Sequence, residues 1–285
     1  MSQPEPSQAT AEAARRARGA VHAERRALLA TCVAAAVRGA EVIRGFAGRR
    51  GTLEWEEKAR ADFVSAVDRA SEEAIAEIVR ARHPDAHLVG EELAPDLGAL
   101  SGVTFVADPL DGTTNYLHDF PWYAVSVAAL DDGEPVAGAI LNVSTGELFT
   151  ATAGGGARRA GQPISVSRID APGRALVGTG FPFRRGDDVE PYLRAMHAVM
   201  RDVAGLRRPG SAALDLADVA CGRFDAFWEP RLAPWDVAAG ILLVREAGGV
   251  VTDFQGRPAR VAHAPIVAGN PAMHAWLMER VAGGG

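Results

Sequence analysis

Lysine is nearly missing from this chain: of its 30 basic residues all but Lys58 are arginine, which marks Lys58 out. Cysteine is as scarce, Cys32 and Cys221 being the two in 285 residues. Two thiols without metal-ligand spacing build no disulfide framework, suit a reducing cytoplasm and read as core residues. A basic excess is lacking too, since 30 basic against 36 acidic residues leave a formal charge of −6. That balance argues against a general nucleic-acid or anionic-membrane binder, which needs a basic footprint. Nor does any apolar run approach the ~20 residues of a membrane span. The longest, 27–37, is interrupted by Thr31 and flanked by Arg26 and Arg38. Arg25-Arg26 ahead of it resembles a twin-arginine signal, but no small-x-small cleavage site precedes Glu41, so an ordinary N-terminal helix is expected.

What is present is enough apolar surface for a core. With 48% hydrophobic and 23% charged residues the bulk of the chain is not disordered. At ~100–200 residues per domain it is one large domain or two fused ones. Residues 1–10, polar with two prolines, are expected to be a mobile tail, and the Gly283-Gly284-Gly285 end is similar. Spacing of apolar residues predicts helices over 11–47, with a break near Gly19, and over 69–82. Short β-branched or aromatic runs at 87–89, 103–107, 123–130, 136–142 and 147–151 predict strands, and Asp132-Gly133 a hairpin turn. Past Gly154-Gly155-Gly156 the order changes to strand (175–178), helix (189–203), helix (211–221), strand (226–229), helix (237–247), strands (250–252 and 266–268) and helix (271–281). A meander-like first half and an α/β second half predict an α+β subdomain over 11–152 and an α/β subdomain over 153–285.

The strongest chemical signal is Asp108-Pro109-Leu110-Asp111-Gly112-Thr113-Thr114-Asn115, entered from an apolar strand. Pro109 cannot donate to a sheet ladder, so the chain leaves the sheet there. Two carboxylates three residues apart across that turn can point into one pocket, where they repel one another unless a cation lies between them. Hard oxygen ligands suit Mg²⁺, and Gly112 lets backbone amides approach a phosphate. A bare Asp-x-x-Asp reads as a tight turn; the whole ten-residue string from Val106 does not. Taken alone, the other acidic positions have plain readings. Asp236, before the apolar run 237–247, reads as a helix N-cap, as does Asp68, and Gly90-Glu91-Glu92 reads as a solvated loop.

Together these strings resemble the inositol monophosphatase family, within the lithium-sensitive, Mg²⁺-dependent sugar-phosphatase superfamily, from about residue 58 to 256. The acidic string at 108–115 and Trp235-Asp236-Val237-Ala238-Ala239-Gly240 carry the resemblance. So do Gly178-Thr179-Gly180-Phe181-Pro182-Phe183 and Gly210-Ser211-Ala212-Ala213-Leu214-Asp215 between them. The resemblance implies a layered αβαβα fold with the site in the cleft between its halves. It implies Glu91, Asp108, Asp111 and Asp236, with the main-chain carbonyl of Leu110, as ligands of two to three Mg²⁺ ions. Thr113 and Glu91 would hold the attacking water, Asp68 would orient Thr113, and the amides of Gly112 and Thr113 would receive the phosphate. Asp111, Ala212, Glu229 and Asp236 would surround the sugar hydroxyls, and Lys58 matches a lysine beside the metal site of bacterial relatives. The implied reaction is hydrolysis of a small phosphate monoester, myo-inositol 1-phosphate above others, by a cytoplasmic homodimer.

The chain departs from the family pattern where Asp62-Phe63-Val64-Ser65 ends in Ser rather than Thr and where Leu93 stands for the usual Ser. The first keeps its hydroxyl; the second bears on how the loop holds Glu91. The histidines form no ligand set, and His118, nearest the acidic loop, reads as a surface or loop residue. Histidinol phosphate, fructose 1,6-bisphosphate and 3′-phosphoadenosine 5′-phosphate are the substrates of sister phosphatases, and Arg184-Arg185 and Arg207-Arg208 leave a bisphosphate open. A partner-binding role in transcription complexes is the alternative of another class.

Overall fold

Along the first helix, Leu28, Cys32, Ala35, Ala36, Ala40 and Ile43 recur at helical spacing and are all buried. In the computed structural model this helix, α1 (Gln8–Gly45), lies with α2 (Ala66–Arg82) on one face of a large sheet. The structure describes residues 8–48, 55–59, 62–96, 98, 102–182 and 189–281, and side chains within 19–48, 65–96, 98, 102–182 and 189–281. Residues 1–7 of the expected tail and the glycines at the C-terminal end lie outside that range. Gln8 to Thr10, assigned to the tail, begin α1, and the helix runs unbroken through Gly19. A single glycine costs a helix about 1 kcal/mol, less than a long helix gains by docking its apolar stripe.

The large sheet has the strand order β3 (His87–Gly90), β4 (Val103–Asp111), β5 (Ala124–Asp131), β6 (Glu134–Asn142), β7 (Leu148–Thr152), β8 (Gly156–Arg159) and β9 (Gln162–Pro163). It is antiparallel except where β3 joins β4. Asp132 and Gly133 turn the β5–β6 hairpin with φ of 48° and 83°. Strand β5 is buried on both faces: Val125, Val127 and Ala129 join the cluster under α1, while Ala124, Ala128 and Leu130 face the other way. The sheet runs on past residue 152 to Pro163, because Gly154 and Gly156, with φ of 73° and 78°, close a β7–β8 hairpin instead of ending the unit.

On that other face lie α5 (Ala212–Ala220) and α6 (Pro234–Glu246). Beyond them is a second sheet of order β11 (Gly205–Arg207), β10 (Leu176–Thr179), β12 (Ala226–Leu232), β14 (Ala264–Gly269) and β13 (Val250–Thr252). Helices α4 (Val189–Asp202) and α7 (Pro271–Val281) cover its outer face, completing five αβαβα layers. Strands β1 (Trp55–Ala59) and β2 (Asp62–Ser65) form a separate hairpin ahead of α2. The expected halves share one core, for the cluster between the sheets mixes Val106 and Ile140 with Leu216, Ala239 and Ile266. Helix α6 fits there because it meets β6 at a glycine: a Cβ on Gly138 would stand 3.1 Å from the Cα and Cβ of Ala239. Among the described residues no helix is long and apolar enough to cross a membrane.

Cys32 is fully buried, and burial pushes its thiol pKa up. Cys221, also expected in the core, caps α5 and is only half-buried, because the helix ends at the surface there.

Candidate active site

Strand β4 pairs with β5 as far as Asp108 opposite Ser126, slips by one residue, and resumes at Asp111 opposite Ala124. Pro109, lacking an N–H, sits in that bulge, which re-aims the strand's last side chains. Asp108 is buried, its Oδ1 accepting from the Leu110 amide at 3.0 Å. Burial and then the charges of Glu91, Asp111 and Asp236 raise its pKa well above the ordinary carboxylate value. Glu91 just after β3, Asp111 at the end of β4 and Asp236 of α6 thus all bear on Asp108. Asp111 is raised by burial, against the opposing pull of Ser211, the Ala213 and Ala212 amides and the Arg208 charge. Its Oδ2 accepts from the Ser211 hydroxyl at 2.6 Å and the Ala213 amide at 2.7 Å, tying β4 to the start of α5.

Asp236 is not the N-cap. Helix α6 begins at Pro234, so Asp236 is its third residue, and its Oδ2 accepts from the Ala233 amide at 2.7 Å. Pro234 opens the helix with its fixed φ, three residues earlier than the apolar run alone suggests. Asp68 is likewise the third residue of α2: Ser65 caps the helix, and Asp68 Oδ2 accepts from the Ser65 amide and hydroxyl at 2.9 and 2.6 Å. Its other oxygen accepts from Thr113 at 2.9 Å, and the same Thr113 hydroxyl stands 3.0 Å from the Leu110 carbonyl. Burial raises the Asp68 pKa, opposed by these bonds from Ser65 and Thr113.

Gly112 precedes the short helix α3 (Thr113–Leu117) with φ of 95°, and a Cβ there would stand 3.0 Å from the Trp122 carbonyl. Asn115 of α3 donates to the carbonyls of Trp122 and Pro209 at 2.7 and 2.9 Å, fastening the acidic loop to the other half of the cleft. Glu229 lies on β12 beside Gly180, where any Cβ would run into its carboxyl group. Ala212 opens α5, and the Lys58 side chain lies outside the described residues.

Sequence reasoning gave no role to three residues. Glu72 is buried and accepts from the amides of Glu92 and Leu93 at 2.7 and 2.9 Å. Ser71 donates to the Pro109 carbonyl at 2.9 Å. Asp215 is buried among the charges of Glu229, Asp111 and Asp218 with no hydrogen-bond partner for its Oδ1; burial first and these charges next push its pKa well up. The signal for Glu72 lies in the stripe Asp68, Glu72, Ile75, Val79, whose first two members are acidic where a helix buries its apolar face.

As the side chains stand, no three His, Cys, Asp or Glu among the described residues are gathered into one coordination sphere. The donor chemistry still fits a hard divalent cation: four carboxylates supply oxygen only, and their charges act on the buried Asp108 in the sense that a cation relieves.

The inositol monophosphatase family profile matches residues 24–283. The chain is 42% identical over 255 residues to an inositol-1-monophosphatase of Rhizobium meliloti, covering 90% of this chain and 96% of that one. It is 43% identical over 226 residues to a Nus factor SuhB of Pseudomonas aeruginosa, covering 78% and 83%. Among solved structures it is similar to the extragenic suppressor protein suhB of Bartonella henselae, with TM-score 0.85, 40% identity and coverage of 90% and 98%.

Proposed function

For a chain that belongs to the inositol monophosphatase family, we propose metal-dependent hydrolysis of a small phosphate monoester, myo-inositol 1-phosphate above others. One observation carries the reading: Glu91, Asp111 and Asp236, from separate elements, all raise the pKa of the buried Asp108. Carboxylates crowded in this way mark a site built to hold positive charge.

Glu91, Asp108, Asp111, Asp236 and the Leu110 carbonyl would hold two to three Mg²⁺ ions. Bound there, the metal supplies neutralisation of the ester's charge and a lowered pKa for water. Thr113 and Asp68 position that water. Donating to Asp68 Oδ1, the Thr113 hydroxyl presents its oxygen as acceptor, and the capping box of Ser65 and Asp68 keeps the carboxylate from turning away. Glu91 shares the task from the opposite loop. The amides of Gly112 and Thr113 receive the phosphate, and Asp111, Ala212, Glu229 and Asp236 accept from or border the ring hydroxyls. The attack is direct, with no covalent phosphoenzyme.

The test is phosphate release from inositol 1-phosphate, histidinol phosphate, fructose 1,6-bisphosphate and 3′-phosphoadenosine 5′-phosphate, with Mg²⁺, with EDTA and with Li⁺. Fastest turnover of inositol 1-phosphate, dependent on Mg²⁺ and inhibited by Li⁺, is expected. A different best substrate overturns the roles of Ala212 and Glu229 and leaves the metal ligands standing. Asp111→Asn is expected to lower kcat at least ~10²-fold by loss of metal positioning, and near-normal turnover would sink the ligand assignment.

The relatives named Nus factor SuhB favour a second reading, a role in transcription complexes beside catalysis. Binding to such a complex survives Asp111→Asn, whereas turnover does not. Homodimerisation and a cytoplasmic place complete the proposal, tested by light scattering on the eluting protein and by cell fractionation.

A further inference from the structure

Helix α2 faces the site with three polar contacts from its first two turns. Asp68 reaches Thr113, Ser71 reaches the Pro109 carbonyl, and Glu72 reaches the loop after β3. Asp68 belongs to the proposed water-positioning pair; Glu72 reaches the backbone on either side of Glu91. Its carboxylate is buried, with Oε2 accepting from the Glu92 amide at 2.7 Å and Oε1 from the Leu93 amide at 2.9 Å. The residue just before the loop is packed against the same group, since a Cβ on Gly90 would stand 2.5 Å from the Glu72 carboxyl carbon. Gly90 and the two amides that grip the carboxylate thus bracket Glu91.

We propose that Glu72 is a positioning residue for Glu91: by gripping the backbone on either side, it sets where the Glu91 carboxylate stands and so how tightly the site holds its cation. The inference rests on the reading of Glu91 as a metal ligand. Two parallel N–H donors need two acceptor oxygens, which a carboxylate offers and an amide does not. Glutamine at this position turns an NH₂ toward one of the two backbone donors, so the loop loses a bond and meets a repulsion. The clamp uses the main chain of residue 93, so Leu93, 49% exposed, supplies the same amide that the family's usual serine would. Groups that orient a ligand from behind tune metal affinity by about 10–100-fold.

The experiment titrates Mg²⁺ into metal-free protein by calorimetry and follows exchange of the Glu92 and Leu93 amide hydrogens. It measures kcat at saturating Mg²⁺ alongside, for Glu72→Gln, Gly90→Ala and Glu91→Gln. Glu72→Gln is expected to weaken Mg²⁺ binding about 10–100-fold, to speed exchange at both amides, and to regain most of its kcat when Mg²⁺ is raised. Glu91→Gln is expected to lose binding and turnover together. Wild-type Mg²⁺ affinity in Glu72→Gln, with Glu91→Gln defective, overturns the proposal and leaves the site reading intact. Wild-type Mg²⁺ affinity in Glu91→Gln overturns the ligand assignment, and the proposal with it. Should Glu72→Gln fail to fold, Gly90→Ala, whose new methyl group displaces the carboxylate from the other side, is read by the same criteria.

Discussion

The Thr113 hydroxyl donates to Asp68 Oδ1 at 2.9 Å across 45 residues of sequence. One hydroxyl proton cannot serve both this oxygen and the Leu110 carbonyl at 3.0 Å fully. Asp68 therefore decides which way the Thr113 oxygen turns its lone pairs. Asp68→Asn keeps the shape and lets the amide donate to Thr113 instead, reversing that bond. We expect kcat to fall by about 10²–10⁴-fold with little change in KM. Steady-state kinetics of Asp68→Asn, Thr113→Ala and the double variant check this, since losses that multiply would mean that the two act separately.

Glu229, which the proposal assigns to the ring hydroxyls, stands beside Gly180, a glycine that leaves it room. Glu229→Gln weakens hydrogen bonds to the ring and leaves the phosphate chemistry alone. Loss of one hydrogen bond to a charged acceptor corresponds to about 1.5–3 kcal/mol, or roughly 10–150-fold in kcat/KM, for inositol 1-phosphate. p-Nitrophenyl phosphate, which has no such hydroxyls, should be turned over as by the wild type. An equal loss on both substrates would remove Glu229 from the specificity shell.

Asp68, Asp108 and Asp111 all carry raised pKa values in the metal-free protein. In the unfolded chain they ionise near pH 4, whereas the folded protein keeps their protons to higher pH. The contribution to stability is thus full below about pH 4 and is lost as pH rises through the folded values. Mg²⁺ binds the ionised carboxylates, so its stabilisation grows in the same direction. The rise in Tm produced by a fixed Mg²⁺ excess over EDTA should be larger at pH 8 than at pH 5. Equal shifts at both would disconnect the carboxylates from the cation.

Asp215 offers a cleaner case, because burial and surrounding carboxylates raise its pKa and its Oδ1 has no partner. The folded protein keeps its proton to higher pH than the unfolded chain does, so stability is lost as pH rises from about 4 toward the folded value. Asp215→Asn removes that loss at almost constant volume. In EDTA the variant should melt above the wild type at pH 7, with the gap closing toward pH 4. Thermal melts at a series of pH values test it, and a variant less stable throughout would mean that the ionised form is the native one.

Helix α7 starts and stops where the sequence pattern places it, and the acidic string, the Trp-Asp string and the hairpin at Asp132 are likewise local features. Each depends on groups a few residues apart: a periodic apolar stripe, a proline without its N–H, a turn needing positive φ. The residue order therefore decided which segments are helices and strands and which carboxylates are available, and it identified the family. The starts of α2 and α6 lay outside that reach. Whether Asp68 and Asp236 cap a helix or sit one turn inside it depends on where the preceding chain enters, and so on Ser65 and Pro234.

Folding alone brought Asp111 to Ser211, 100 residues away, and Asn115 to Pro209, 94 away. The same holds for Glu72 and the amides beside Glu91, which no pattern of side chains announces because the donors are backbone. Local propensities are written within three or four residues. Partners across the cleft are chosen by the packing of two sheets around α5 and α6, where a buried polar group is stable only if the fold delivers its complement.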